Sequence, residues 1–196
     1  MKKPTKKIII GVSGDKGSFS EEAAMLYAVN TGQVVQIAYL IDMEGVLSAL
    51  NVSTIDRGIF PVVNSRGGLV HPAFVAMGRY PFRMMDEIWL NVKQCLLAKK
   101  GVDLSNIKAI ASHSQALVQC ERYLEREFPK TKQIEWEDTA KAARDLARGQ
   151  LPQNTAVIAP ARSAMLYGLT VLAHDIQDVR PNFTTFIVVE NYEEKR

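Results

Sequence analysis

Four short stretches of this 196-residue chain gather hydroxyl, amide and imidazole groups where the chain must turn. Residues 14–20 read GDKGSFS, placing Ser18 and Ser20 in a glycine-spaced loop. Asn64 and Ser65 begin the turn-forming cluster NSRGG. Ser112, His113 and Gln115 stand where a short apolar run meets an amphipathic one. Thr184, Thr185 and Phe186 lead into the last apolar run, TFIVVE. These groups are neutral hydrogen-bond donors and acceptors. Together with backbone N–H groups they can hold a carboxylate. In a dry site whose neighbours stabilise the resulting alkoxide, a threonine can also protonate a leaving group. Each stretch has a plain structural reading as well. GDKGSFS makes a tight strand–helix turn, Ser112 or Ser114 serves as a helix N-cap, and paired threonines favour a strand.

Other chemistries are disfavoured. GDKGSFS is neither a Walker A loop nor GxGxxG, and no GxSxG nucleophile elbow is present. His71, His113 and His174 lack metal-ligand spacing, so no metal site is expected. Cys95 and Cys120 form no CxxC pair and read as reduced core residues of a cytoplasmic protein. The acid pairs Glu21/Glu22, Glu135/Glu137 and Glu193/Glu194 read as solvated, which argues against paired-carboxylate glycosidase chemistry. A net charge of +3 with a pI near 8.8 and no basic stripe excludes a nucleic-acid footprint and suits a small anionic ligand. The composition, 47% apolar and 23% charged, is that of a folded chain with a core, as one domain or one domain split into two lobes. No apolar run reaches the roughly 18 residues of a membrane span. The basic start, MKKPTKK, reads as a solvated tail rather than a signal peptide.

The elements that must carry these groups alternate. Strands are expected at 6–12, 34–39, 55–63, 87–98, 107–111, 133–136, 156–159 and 185–190. Helices are expected at 20–30 (capped by Ser20), 43–51, 112–128, 139–148 and 162–166. The best helix puts Leu117, Cys120, Leu124 and Phe128 on one stripe, charges on the other face, and ends at Pro129. Alternating strand and helix predicts α/β architecture with a mainly parallel sheet. Ligands of such folds sit at the carboxyl ends of the strands, where these polar loops fall.

Taken together, seven segments in order resemble the catalytic domain of prephenate dehydratases. They are GDKGSFSEEAA (14–24), Asp56-Arg57-Gly58 leading to PVVNS (61–65), EIWLNVKQCLL (87–97), SHSQALVQC (112–120), DTAKAA (138–143), YGLTVLAHDIQD (167–178) and NFTTFIVV (182–189). The resemblance implies a two-lobed, periplasmic-binding-protein-like (type II) α/β fold with the ligand cleft between lobes. It implies a first lobe of residues 1–80 plus 178–196 and a second of residues 81–177, with crossings near 80–85 and 172–180 and neither a phenylalanine-sensing regulatory domain nor a chorismate mutase domain. It implies a carbon–oxygen lyase of phenylalanine biosynthesis that removes carbon dioxide and the ring hydroxyl from prephenate, giving phenylpyruvate without a cofactor. Partners would be a small dicarboxylate and a second copy in a homodimer, with no nucleic acid and no membrane. Carried over by position, Thr184 is the acid. Ser18, Ser20, Asn64, Ser65, Ser112, His113, Gln115, Thr185 and Phe186 stand at substrate-binding positions.

The chain departs from the family pattern at several positions. Thr185 replaces the motif arginine, Val63 the glutamate before Asn64, Ser114 a proline, and Asp15 another proline. Loss of a guanidinium that holds a carboxylate costs several kcal/mol. Arginine and glutamate lost together read as a matched pair removed, since either alone would leave an unpaired charge. Arg66 is the cation nearest in sequence to replace them. Two alternatives to the dehydratase follow from these losses: a divergent prephenate decarboxylase, and a non-catalytic two-lobed module binding a small carboxylate.

Overall fold

Short β-branched runs form the strands, and stretches with polar caps form the helices. The computed structural model describes residues 7–192; all of the basic start but Lys7, and Glu193/Glu194, lie outside them. The first sheet has the order β2-β1-β3-β11-β5, built from β1 (Ile8–Val12), β2 (Val35–Tyr39), β3 (Arg57–Asn64), β5 (Phe82–Asn91) and β11 (Phe183–Asn191), with the two-residue β4 (Gly68–Leu69) on β3. The second has the order β10-β6-β9-β7-β8, from β6 (Cys95–Ala98), β7 (Ala109–Ser112), β8 (Lys132–Glu135), β9 (Thr155–Ala159) and β10 (Thr170–Ala173). Helices cover both faces of each sheet, making two three-layer lobes. In the first, Ala23, Ala24 and Tyr27 of α1 (Phe19–Thr31) pack on one face of the sheet with Ile10, Ile59 and Val188. Val46, Leu47 and Leu50 of α2 (Met43–Asn51) pack on the other with Phe60, Ile187 and Val189, beside α3 (His71–Met77). In the second, α6 (Thr139–Ala147) and α7 (Ala161–Tyr167) cover one face, and α4 (Ser114–Gln119) and α5 (Glu121–Glu127) the other. No helix among the described residues is long and apolar enough to cross a membrane. Cys95 and Cys120 are buried and unpaired.

Several expectations change. The sheets are mixed: β1 pairs in parallel with β2 and β3, and β7 with β8 and β9, while β3–β11, β5–β11, β6–β9 and β6–β10 are antiparallel. The strand expected at 87–98 is two strands in different sheets. Val92–Gln94 carries the chain across, and the returning segment runs beside it, with Val92 N donating to Asn182 O (2.8 Å) and Ile176 N to Gln94 O (2.9 Å). The lobe boundary expected after residue 80 therefore falls after β5, because β5 finds its partner a hundred residues later in β11. The long helix is also divided at Cys120 (φ −114°, ψ 14°). There the returning chain inserts Asp178, whose carboxylate accepts from Arg122 N (3.1 Å) and Tyr123 N (3.3 Å) and so caps α5. The apolar stripe itself packs as expected, around buried Cys120 and Leu124.

Candidate functional site between the lobes

The ladder between β3 and β11 makes the first wall. Thr184 lies opposite Asn64, Thr185 opposite Val63, and Phe186 opposite Pro61. Val62 is thus an extra residue, a bulge beside the proline, where a missing N–H costs no ladder bond. The bulge shifts the phase of β3, so Pro61, Asn64, Thr184 and Phe186 all line one cavity of about 270 Å³. Asn64 Oδ1 accepts from Arg66 N (2.9 Å) and Gly67 N (2.8 Å). That fixes the amide orientation, and Nδ2 donates to Thr184 Oγ1 (2.8 Å) and Asn182 Oδ1 (2.9 Å). Thr184 is buried, and because its oxygen already accepts a bond, its own proton is free to point into the cavity.

The amide chain continues across the lobes. Asn182 Nδ2 donates to Gln119 Oε1 (2.9 Å), and Gln94 Nε2 donates to the same oxygen (3.0 Å). The direction of these bonds leaves Gln94 with its acceptor, Oε1, unpartnered in a side chain that lines the cavity and is 2% exposed.

The second wall comes from GDKGSFS. Gly14 (φ +96°) and Gly17 (φ +91°) take left-handed conformations that favour glycine. Ser18, not Ser20, is the N-cap of α1: its Oγ accepts from Glu21 N (3.3 Å). Ser20 sits inside the first turn, 3.1 Å from Ser13 Oγ. Glu21, expected in solvent, is buried. Its carboxylate accepts from Gly17 N (2.7 Å) and Tyr39 Oη (2.7 Å) and pairs with Arg162 of the other lobe (3.1 Å). Asp15 pairs with Arg144, and Tyr167 Oη donates to Lys16 O (2.7 Å), so this loop fastens one lobe to the other.

The opposite lobe adds His113 and Asp138. His113, rather than Ser112 or Ser114, caps α4: its Nδ1 accepts from Gln115 N (3.2 Å), which leaves the ring proton on Nε2. Burial lowers its affinity for a second proton, so the ring is a neutral donor at pH 7. Asp138 caps α6, with Oδ1 accepting from Lys141 N (2.8 Å) and more weakly from Asp15 N (3.4 Å). Burial, with Asp15 nearby, pushes its carboxyl up to about 6.

Of the residues expected in the site, Ser18, Ser20, Asn64 and Thr184 line the cavity, as do His113, Gln115 and Phe186. Three others lie off it. Ser112 Oγ is spent on Ile158 O (2.7 Å) inside the second sheet. Ser65 Oγ stands 3.5 Å from Asn182 Oδ1, behind the Asn64 amide. Thr185 alternates to the other face of β11, directly across from Val63 and beside Trp89. Two of the four departures from the family pattern, Thr185 and Val63, therefore face each other, away from the cavity. Arg66 is engaged elsewhere, with Glu121 (3.2 Å) and Asp178 (3.7 Å). The sequence reading missed Gln94, Gln119 and Asp138 as lining residues. Asp138 had a signal, the Asp-Thr at a helix start; the two glutamines lie in strand-like and helix-like runs with nothing local to mark them.

A family model described as prephenate dehydratase matches residues 10–194. Arogenate dehydratase/prephenate dehydratase 2 of Arabidopsis thaliana is 31% identical over 183 residues, covering 93% of this chain and 46% of that protein. The chain thus spans under half the length of that curated relative. A solved prephenate dehydratase from Arthrobacter aurescens, in complex with L-Phe, superposes with a TM-score of 0.81 at 26% identity, over 95% of this chain and 61% of that one. A periplasmic substrate-binding protein from Coxiella burnetii shares the two-lobed fold (TM-score 0.53, 19% identity, 94% of this chain and 84% of that one).

Proposed function

Because the chain belongs to the prephenate dehydratase family, we propose that its cavity takes a cyclohexadienol dicarboxylate of the prephenate kind and expels carbon dioxide and water from it. With prephenate itself the product is phenylpyruvate. The Asn64–Thr184 pair carries this reading: a buried hydroxyl accepting at 2.8 Å from an amide whose own orientation is locked.

In the reaction, the bond from the ring to its carboxylate breaks and its electron pair moves into the ring. The shifting pairs expel the ring hydroxyl on the far side as hydroxide, which takes the Thr184 proton and leaves as water. The Asn64 N–H stabilises the alkoxide as it forms, and Thr184 regains a proton from solvent as product departs. Ser18 and Ser20, at the N-terminus of the 13-residue α1, supply a donor-rich end for a carboxylate. Phe186, Phe19 and Val92 give an apolar wall for the ring. Aromatisation and release of carbon dioxide drive the step, so positioning plus one acid suffices.

Incubating the purified protein with prephenate and reading products by NMR tests the reading. Phenylpyruvate is expected, and Thr184→Val should lower kcat by roughly 10²–10⁴ with little change in KM. A non-aromatic decarboxylated acid, or turnover indifferent to Thr184→Val, overturns it. The reading also carries the family's expectation of a cytoplasmic homodimer; light scattering of the purified chain tests the dimer.

A further inference from the structure

We infer that the cavity selects the amino-acid form of this substrate class, with the Asp138 carboxylate receiving the ligand's α-ammonium group. The inference rests on the dehydratase reading and names its substrate. The two activities in the name of the Arabidopsis relative concern molecules that differ at one group: arogenate carries an ammonium where prephenate carries a keto oxygen.

The charges of the wall decide between them. Among the described residues that line the cavity, Asp42, Glu137 and Asp138 are acidic, and no lysine or arginine is present. Two of the three carboxylates are exposed to solvent as well as bonded locally, whereas Asp138 is half-buried. Asp42 accepts from Gly45 N (2.7 Å) at the start of α2, and Glu137 pairs with Lys141 (3.1 Å). Asp138 differs. No lysine or arginine among the described residues pairs with it, because Arg144 is engaged with Asp15 and Asp145, and Lys141 with Glu137 and Asp145. Its side-chain bonds from Lys141 and Asp15 both end on Oδ1. Oδ2 lies over Gly14, only 2.7 Å from where a β-carbon would stand. Glycine at position 14 thus keeps this carboxylate open at the seam between the lobes.

A second observation points the same way. Gln94 Oε1 is a buried acceptor without a partner in the same cavity, left so by the direction of the amide chain. A wall offering a carboxylate and an orphan carbonyl asks for donors. A keto oxygen brings only lone pairs to it and meets repulsion, whereas an ammonium brings three N–H groups and a positive charge. Burial favours the neutral form of Asp138, and an adjacent ammonium would hold it ionised.

The test compares the wild type and Asp138→Asn, each with arogenate and with prephenate. Turnover is read by NMR and binding by calorimetry. Asparagine is itself a good N-cap, so α6 stays capped through Oδ1. The wild type should favour arogenate by about tenfold or more in kcat/KM, and Asp138→Asn should cut the arogenate-to-prephenate ratio by roughly ten- to a hundredfold. A wild type that favours prephenate, or a ratio unmoved by the substitution, overturns the inference while leaving the dehydratase reading intact. If neither substrate yields an aromatic product, the dehydratase reading fails and calorimetry alone decides. Tighter arogenate binding lost in Asp138→Asn sustains the role of Asp138, and equal binding of both ligands overturns it.

Discussion

Thr185 shows how a single position changes meaning once its neighbours are known. By sequence it stands where the family keeps an arginine, and its loss reads as a lost substrate contact. In the sheet it faces Val63, which stands where the family keeps a glutamate, across the β3–β11 ladder and on the face away from the cavity. Both charges are missing from one cross-strand pair, so no buried charge is left unmatched. Thr185→Arg therefore places a guanidinium beside Val63 and Trp89, the latter 61% exposed, and not in the cavity. We expect kcat/KM within about threefold of the wild type, since surface substitutions away from special features are nearly neutral. A tenfold gain in kcat/KM would put position 185 back among the substrate contacts.

At the scale of elements, the site depends on small irregularities. The bulge at Val62 turns Asn64 toward Thr184. The left-handed glycines of GDKGSFS bring α1 to the seam, and Asp178 divides one helical run into α4 and α5. Gly14→Ala tests the loop. It forces an L-residue to φ +96° and sets a β-carbon 2.7 Å from Asp138 Oδ2. A loss of about 1–3 kcal/mol in stability is expected from denaturant unfolding, together with reduced turnover; unchanged stability would mean the loop relaxes freely. Much at this scale was legible in the sequence. Helix α2 falls at the expected residues 43–51, and most strands lie within a few residues of expectation. Periodicity, caps and glycines are local signals. The bulge, the division at Cys120 and the sheet change at Val92–Gln94 were not legible, because each is imposed by a segment about 60 to 120 residues away.

For the whole molecule, the half-buried Asp138 ties stability to pH. Its carboxyl rises from 3.8 to about 6 on folding, so between those values the folded state holds a proton that the unfolded chain has released. This group's contribution therefore falls as pH climbs from about 4 to 6 and is level above that. Asp138→Asn removes the dependence. Its melting temperature should gain on the wild type from pH 4 to 6 and then stay parallel to it; a constant offset across that range would argue against the shift.

The sequence by itself determined the α/β class, the order of elements and a family-wide set of polar loops, since these follow from period, caps and motif spacing along the chain. Only the tertiary structure decided which of those polar groups meet. It joined Asn64 to Thr184, 120 positions apart, withdrew Ser112 and Thr185 from the cavity, and left Asp138 and Gln94 among its open acceptors. The reason is physical: which face a strand presents, and which donor an amide spends, are settled by partners the chain meets only when both lobes have closed on each other.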